Sequence, residues 1–205
     1  MDLAGALLGL VLGLPVLLVA GLLVWWEDGR PVLFVQPRVG REGRLFPCLK
    51  LRTMRRGASD QPGPVPAPAS DPRHLRCGRL LRRWAVDEIP QLLNVLRGEM
   101  SMVGPRPAQP FEVALQSARD RGRLAVPPGL TGLAQVCGRN RLTWAERIEL
   151  DLEYVRRRSL ALDLWILWRT LPQLVDAGAA FGAEAEAEAE AEAEQETRVG
   201  SARHR

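Results

Sequence analysis

The longest hydrophobic run of the chain lies at its start. Residues 3–26 carry no charged side chain and are mostly aliphatic, and Pro15 stands in the middle of them. At ~1.5 Å per residue a straight helix of this length would reach about 36 Å, enough to cross a bilayer, whereas a bend at the proline would return the chain to its starting side. Several arginines follow the run, which indicates that the rest of the chain lies on the cytoplasmic side. We therefore expect residues 1–28 to form a membrane helix, re-entrant or spanning, rather than a cleaved signal peptide.

Beyond the membrane helix the hydrophobic stretches become shorter. Residues 32–35 and 44–46 are β-prone and flank a glycine-bearing turn, which predicts a β-hairpin. Three helices are then predicted, over residues 75–84, 87–98 and 143–158. An apolar stretch follows over residues 160–175. Thr143 and Glu146 stand in the positions of a capping box at the start of the third helix. The predicted fold class is α+β, mainly helical, with a small β-hairpin behind a hydrophobic membrane helix.

Prolines and glycines mark the connections. Residues 57–72 contain five prolines, which predicts a surface loop, and residues 103–107 and 126–132 read as two rigid, glycine-bearing loops. Residues 183–194 alternate alanine and glutamate, a composition that offers no apolar face to bury and indicates a solvated tail. The predicted organisation is a membrane-inserted helix, a body on the cytoplasmic face, and a low-complexity, disordered tail, over residues 1–28, 29–176 and 177–205.

Charge is divided unevenly along the 205 residues. The net charge is +4, but residues 183–205 hold seven glutamates and three arginines, which leaves 25 basic against 17 acidic residues in the rest of the chain. A basic body implies an anionic partner, which could be a nucleic acid, anionic lipid headgroups or a phosphorylated substrate. All but one of the 28 basic residues are arginines, and Lys50 is the single lysine. The three cysteines form no C-x-x-C pair, which excludes a disulfide framework and a standard zinc site.

Two adjacent carboxylates, Asp87 and Glu88, are the strongest candidates for chemistry. They open a predicted helix, where backbone N–H groups and the helix dipole stabilise an ionised carboxylate and also favour bound phosphate. Arg52, Arg82 and Arg106 could supply the cations that a phosphate requires. Mg²⁺ held by a carboxylate such as Glu88 would reduce the repulsion between an anionic nucleophile and a diphosphate. Ordinary acidic residues of a helix N-terminus are the alternative explanation of this pair.

Three ordered motifs connect these residues. The first, from residue 34, reads F-x-Q-x-R-x-G-x-x-G-x-x-F-x-x-x-K-x-R-T-M. The second, over residues 87–107, reads D-E-I-P-Q-L-L-N-V-L-R-G-E-M-S-M-V-G-P-R-P, and the third, from residue 128, reads P-G-L-T-G-x-x-Q-V-x-G-R-N. Together they closely resemble the bacterial sugar transferases, the monotopic phosphoglycosyl transferases. The resemblance covers about residues 1–175, and the second motif is long and highly specific.

The resemblance implies an enzyme that moves a sugar-1-phosphate from a nucleotide-diphosphate sugar, expected to be a UDP-sugar, to undecaprenyl phosphate. This would be the first membrane step in the assembly of a surface glycan such as an exopolysaccharide or a lipopolysaccharide. Asp87 matches the nucleophile of the family, which forms a covalent phosphosugar, and Glu88 matches the ligand of Mg²⁺. The residues expected to bind substrate phosphates are Arg82, Arg106, Lys50, Arg52 and Arg139.

The resemblance also implies a location and partners. The catalytic domain is expected on the cytoplasmic face of the bacterial inner membrane, with membrane lipid, undecaprenyl phosphate and a nucleotide-diphosphate sugar as partners and no nucleic acid. The N-terminal helix would bend at Pro15 and return to the same face. Residues 160–175, which contain two tryptophans, would either lie at the membrane interface or pack in the core. The oligomeric state is left open.

Several positions depart from the family pattern and keep other functions in view. Family members usually have arginine where Pro127 stands, tryptophan and asparagine where Leu133 and Cys137 stand, and Thr-Ser at 84–85. An altered donor is one explanation, and a catalytically impaired relative that acts as a membrane scaffold is another. A membrane-tethered nucleic-acid-binding protein is the third alternative, which the basic body favours but no recognised binding motif accompanies.

Overall fold

Helix α1 (Asp2–Asp28) begins the computed structural model, which describes residues 1–58, 71–138 and 142–175. Its 27 residues form one helix that continues through Pro15. Within the described residues it is the one helix long and apolar enough to cross a membrane. The predicted apolar helix is therefore confirmed, whereas its re-entrant or spanning course stays a prediction. Most of the predicted loop at 57–72, and the whole of the predicted tail, fall outside the described residues.

Small residues line the face of α1 that packs against the body. Gly5, Gly9 and Gly13 follow one another at intervals of four residues, which places them on one side of a helix. A Cβ at Gly9 would lie only 3.0 Å from the Cδ1 atom of Leu92, so the glycine allows close approach. The remaining surface of the helix exposes large apolar side chains: Leu3, Leu7, Leu8, Val11, Leu12, Leu18, Val19 and Leu22. The hydrophobic run thus has a packed face and an open apolar face.

Strands β1 (Leu33–Val39) and β2 (Leu45–Leu51) form an antiparallel hairpin with all seven residues of each strand paired. Gly43 ends the connection at a φ of +79°, a conformation that glycine adopts without steric cost. The hairpin is confirmed, and its strands are longer than predicted. Polar residues such as Gln36 and Lys50 interrupt the apolar stretches of the sequence but still belong to the strands, because successive side chains point to opposite faces.

Helix α2 (Arg76–Arg83) and helix α3 (Gln91–Leu96) are joined by a short 3₁₀ turn at Val86–Glu88. The prediction of α2 is confirmed to within one residue at each end. Helix α3 begins later than predicted, directly after Pro90, which lacks the N–H that would continue a hydrogen-bonded helix from the preceding turn. It ends before Gly98, which has a φ of +74°.

A parallel pair of short strands, β3 (Ser101–Val103) and β4 (Gly129–Thr131), lies where the sequence predicts two rigid loops. Three residues are too few to give a recognisable alternation in sequence, so the prediction of loops alone was wrong here. A Cβ at Gly129 would lie 2.0 Å from the backbone nitrogen of Gly104. The two backbones can therefore approach this closely only because both positions are glycine.

Four more helices complete the described fold: α4 (Pro110–Leu115), α5 (Leu133–Cys137), α6 (Trp144–Arg157) and α7 (Leu160–Val175). The predicted capping box of α6 is confirmed. The backbone N–H of Glu146 donates to Thr143 Oγ1 at 3.3 Å, and the backbone N–H of Thr143 donates to Glu146 Oε2 at 2.9 Å. The mixed helical fold with a small amount of sheet agrees with the predicted class.

Helix α7 packs on one face and is open on another. Ile166 is fully buried and joins Tyr154 and Val103 in one core cluster. Leu164 and Trp168, by contrast, are 54% and 71% exposed. The two interpretations of this segment, core packing and an apolar surface, therefore apply to different faces of the same helix.

Candidate active site

Asp87 and Glu88 lie in the 3₁₀ turn between α2 and α3, not inside the first turn of an α-helix as predicted. The backbone N–H of Glu88 donates to Ala85 O at 3.1 Å, and the N–H of Ile89 donates to Val86 O at 3.3 Å. Ala85 has a left-handed backbone, with φ 52° and ψ 23°, which costs an alanine roughly 1–2 kcal/mol. A strained turn therefore directly precedes the two carboxylates.

The two carboxylates have different surroundings. Asp87 is only 5% exposed. Glu88 Oε1 lies 2.8 Å from Lys50 Nζ, and the side chains of this pair are 26% and 19% exposed. Because water screens the pair only partly, its attraction is stronger than that of a surface ion pair. The single lysine of the chain thus contacts one of the two candidate catalytic carboxylates.

A pocket opens beside Glu88 and combines positive charge with amide groups. The charged and amide side chains that line it are Arg38, Lys50, Glu88, Gln91, Arg106 and Gln135. Three cations face one carboxylate in this set, so the pocket attracts an anion. Guanidinium groups also offer paired N–H donors that match phosphate oxygens. The charges and donors of the lining therefore suit an anion such as a phosphate group.

The hairpin delivers three of the lining residues from one of its faces. Residues directly opposite in an antiparallel pair share a face, and the face repeats every second residue. Lys50 pairs with Phe34, Cys48 with Gln36, and Phe46 with Arg38, so these three pairs share one face of the hairpin. Arg38, Cys48 and Lys50 therefore point to one side, toward the pocket. The alternation of the strands is what brings the first motif to the site.

Two of the predicted phosphate-binding residues that the structure describes, Arg52 and Arg82, do not line this pocket. Arg52 is 6% exposed, and its Nη1 and Nη2 donate to Asp28 Oδ2 at 2.7 Å and to Gly29 O at 2.8 Å, at the end of α1. Arg82 lies on α2 and is not among the lining residues. Arg139 lies outside the described residues. Among the four members of the predicted set that the structure describes, Lys50 and Arg106 line the pocket together with Glu88.

The other titratable groups limit the chemistry of the pocket. Burial raises the pKa of the Cys48 thiol, although Lys50 and Arg38 act against it, so this cysteine is a poor nucleophile at neutral pH. Among the described residues, no three His, Cys, Asp or Glu side chains group closely enough to enclose a metal. A cation at this site would therefore depend on one or two carboxylates together with ligands from the substrate.

Sequence reasoning singled out no role for Arg38, Gln91 or Gln135, although all three stand in the quoted motifs. The signal for Arg38 is its position on the same alternating face of the hairpin as Lys50. Gln91 is 3% exposed and follows the carboxylates by one helical turn. No local signal marks Gln135, because its approach to the pocket depends on the pairing of β3 and β4.

Comparison with known proteins adds evidence from the whole chain. A family model described as bacterial sugar transferase matches residues 1–177. The exopolysaccharide production protein ExoY of Rhizobium meliloti is 38% identical over 185 residues, which cover 83% of this chain and 82% of that protein.

Two further relatives carry more specific names. The UDP-glucose:undecaprenyl-phosphate glucose-1-phosphate transferase of Caulobacter vibrioides is 43% identical over 189 residues, covering 88% of this chain and 70% of the relative. The undecaprenyl-phosphate glucose phosphotransferase of Komagataeibacter xylinus is 40% identical over 191 residues, covering 88% of this chain but only 36% of that larger protein.

Proposed function

Because the chain belongs to the bacterial sugar transferase family, we propose that it transfers a sugar-1-phosphate from a nucleotide-diphosphate sugar to undecaprenyl phosphate. The enzyme would act in the synthesis of an exopolysaccharide, as the name of the Rhizobium meliloti relative suggests. UDP-glucose is the donor to test first, because it stands in the name of the Caulobacter vibrioides relative.

The observation that carries this proposal is that a nearly buried aspartate lies directly beside a pocket lined by a carboxylate and several cations. Asp87 is the immediate neighbour of Glu88, which lines a pocket together with Lys50 and Arg106. Cations that neutralise phosphate oxygens lower the barrier to attack by an anionic nucleophile. A carboxylate that is shielded from water also loses less hydration when it reacts. These features support phosphoryl chemistry at this turn.

We infer a two-step reaction with Asp87 as nucleophile. A carboxylate oxygen of Asp87 attacks the phosphorus that bears the sugar, forming an O–P bond while the bond from this phosphorus to the bridging oxygen breaks. The electron pair leaves with the nucleoside monophosphate. A phosphate oxygen of undecaprenyl phosphate then attacks the same phosphorus, the bond to Asp87 breaks, and the free carboxylate is restored. Arg106 and Lys50 would hold the phosphates in both steps.

The pocket offers Mg²⁺ one protein carboxylate, that of Glu88. Glu88 offers a carboxylate at an open pocket, and Mg²⁺ in phosphate-handling enzymes uses few protein carboxylates and takes its other ligands from phosphates and water. We propose that Glu88 holds the ion and that Lys50 orients the carboxylate. The ion would supply neutralisation of phosphate charge.

The course of α1 supports a monotopic association with the membrane. At one end, Asp2 Oδ1 accepts a hydrogen bond from the backbone N–H of Met102 at 3.2 Å. At the other, Glu27 Oε1 accepts from the N–H of Arg76 at 2.7 Å. A helix that crosses a bilayer has its two ends on opposite sides, whereas both ends of α1 contact the same body. We propose that α1 enters the inner membrane from the cytoplasmic face and does not cross it.

Release of UMP from UDP-glucose tests the reaction. Wild-type protein in detergent, with Mg²⁺ and undecaprenyl phosphate, is compared with Asp87→Asn and with Glu42→Gln, which removes an exposed acid at the hairpin turn. We expect release by wild type and Glu42→Gln and none by Asp87→Asn. Exchange of labelled UMP into UDP-glucose without acceptor should occur only if a covalent intermediate forms. An active Asp87→Asn would overturn the assignment of the nucleophile, and a folded but silent wild type across several donors would favour the scaffold.

A further inference from the structure

The segment that carries Arg106 is held at four consecutive backbone carbonyls, those of residues 105–108. Pro105 O accepts from the N–H of Gly129 at 2.8 Å, and Ala108 O accepts from the N–H of Val39 at 2.9 Å. Between them, two arginine side chains act as donors. Arg123 Nη2 donates to Arg106 O at 2.8 Å, and Arg38 Nη1 donates to Pro107 O at 3.1 Å. Four consecutive carbonyls are therefore fixed by four donors from distant parts of the chain.

The composition of the loop leaves it few backbone donors of its own. Pro105 and Pro107 flank Arg106 and have no N–H, so neither can donate a backbone hydrogen bond. The position of the Arg106 backbone, from which its side chain reaches the pocket, is set by the groups that bind the neighbouring carbonyls. Among these donors, Arg123 is the one that binds the carbonyl of Arg106 itself.

Arg123 is placed in an unusual way for a surface-prone residue. It is 2% exposed and lies in the 3₁₀ helix Asp120–Ala125. Its Nη2 also lies 2.6 Å from Asp151 Oδ2, on α6, and Asp151 is 1% exposed. Removing two charges from water is costly, and a buried ion pair often stabilises a fold less than apolar residues would. The same Arg123 guanidinium donates to the carbonyl of Arg106, so this buried pair lies directly behind the Arg106 loop.

A neighbouring ion pair provides a natural contrast. Arg119 Nη2 donates to Glu149 Oε2 at 2.8 Å, which joins the same two parts of the chain. Their side chains are 63% and 49% exposed, and neither contacts the Arg106 loop. Only the inner of the two pairs reaches the active-site loop. The outer pair therefore serves as a matched control.

We propose that Arg123, held by Asp151, is a positioning residue that fixes the backbone of Arg106 so that its guanidinium is set in the phosphate pocket. The proposal rests on the proposed function, in which Arg106 binds the phosphates of the donor. One guanidinium nitrogen, Arg123 Nη2, donates to the Arg106 carbonyl and lies within ion-pair distance of Asp151 Oδ2, so the planar group is held between the two. A lysine would keep the charge opposite Asp151 without this fixed geometry.

A double-mutant cycle tests the proposal. Arg123→Gln, Arg123→Lys and the control Glu149→Gln are made in the wild type and in an Arg106→Gln background, and kcat/KM is measured with UDP-glucose. A displacement of about 1 Å at a reacting site costs about 10²-fold, so we expect a loss of about tenfold or more in Arg123→Lys and at least as much in Arg123→Gln. In the Arg106→Gln background the same substitutions should have almost no further effect. An equal loss in both backgrounds, or no loss in the wild type, would overturn the proposal.

Hydrogen–deuterium exchange of the loop peptide, residues 101–112, supplies a readout that does not need turnover. Exchange should rise in Arg123→Lys and stay at the wild-type level in Glu149→Gln. If Arg123→Gln fails to fold, Arg123→Lys alone decides the outcome. A wild type that releases no UMP while loop exchange responds as expected would contradict the proposed function but not the positioning role. Unchanged loop exchange in Arg123→Lys would contradict the positioning role in an active or an inactive enzyme.

Discussion

One buried polar side chain, that of Asn94, joins the elements that form the candidate site through its hydrogen bonds. Asn94 on α3 is fully buried. Its Oδ1 accepts from the N–H of Leu49 at 3.0 Å, and its Nδ2 donates to Pro47 O at 2.8 Å, so one side chain joins α3 to the strand that carries Lys50. Buried polar groups need partners, and here the side-chain amide completes the edge of the hairpin. The distance between Lys50 and Glu88 therefore depends on Asn94, which does not itself line the pocket beside Glu88.

Replacing Asn94 by alanine should destabilise the protein strongly. The buried N–H of Leu49 would lose its partner, at a cost of about 1–3 kcal/mol, and the partly buried hydrogen bond to Pro47 O would be lost as well. We expect a fall of about 2–4 kcal/mol in the free energy of unfolding, measured by chemical denaturation in detergent. Arg97→Ala, on the exposed side of the same segment, should change it by less than about 0.5 kcal/mol. Equal losses in the two variants would contradict the bridging role.

At the scale of elements, glycine determines how closely the pieces of the active site approach. Gly13 of α1 lies against Ile89, which follows Glu88 directly, so the membrane helix supports the turn that carries the carboxylates. Gly104, directly after β3, and Gly129, in β4, allow the two backbones to lie side by side. Both contacts join segments remote in sequence. Close packing between elements, more than the stability of any one element, positions the turn that carries Asp87 and Glu88.

Enlarging Gly13 should weaken this support. A Cβ there would lie 3.2 Å from Ile89 Cγ2, so alanine needs a small adjustment and leucine does not fit. Overpacking of this kind costs about 1–3 kcal/mol and would move the turn that holds Asp87. We expect Gly13→Leu to lower kcat for UMP release by about tenfold or more. Gly13→Ala and Val16→Leu, on the exposed face of α1, should stay near wild type, and a fully active Gly13→Leu would show that α1 does not support the turn.

For the whole molecule, the decisive feature is that one long apolar helix lies along a basic body. The open face of α1 exposes aliphatic side chains, whereas both its ends are tied to the body through Asp2 and Glu27. Exposed leucine and tryptophan side chains on α7, including Leu164 and Trp168, add a second apolar surface. Burial of such surfaces in lipid is favourable at about 25 cal/mol per Å². These two apolar surfaces support the proposed association of the protein with a membrane.

Cysteine labelling tests the course of α1. Leu3→Cys places a thiol near the start of the helix, and the exposed native Cys137 reports on the body. If both ends of α1 lie on the cytoplasmic side, a membrane-impermeant maleimide should label neither position in intact spheroplasts and both after permeabilisation. Wild-type protein, with Cys137 alone exposed, gives the matched control. Labelling of Leu3→Cys from outside the intact membrane would mean that the helix spans.

The sequence alone determined the features that depend on local pattern. Its apolar run predicts α1, its spacing predicts α2, and its capping box at Thr143 is present at the start of α6 as expected. The ordered motif around Asp87 was enough to indicate the family, which the comparison over residues 1–177 then showed. These features can be recognised because neighbours in sequence set dihedral preferences, caps and the face that is buried.

Only the tertiary structure decided which charged residues meet. Arg52 and Lys50 are two residues apart, yet one binds the end of α1 and the other binds Glu88. The contact of Arg123 with the Arg106 carbonyl and the crossing of Gly104 with Gly129 also join residues that no local pattern relates. The sequence gives the charge of each arginine but not the group that the arginine binds. The partner is set by long-range packing, which places each guanidinium beside a carboxylate, a carbonyl or an open pocket.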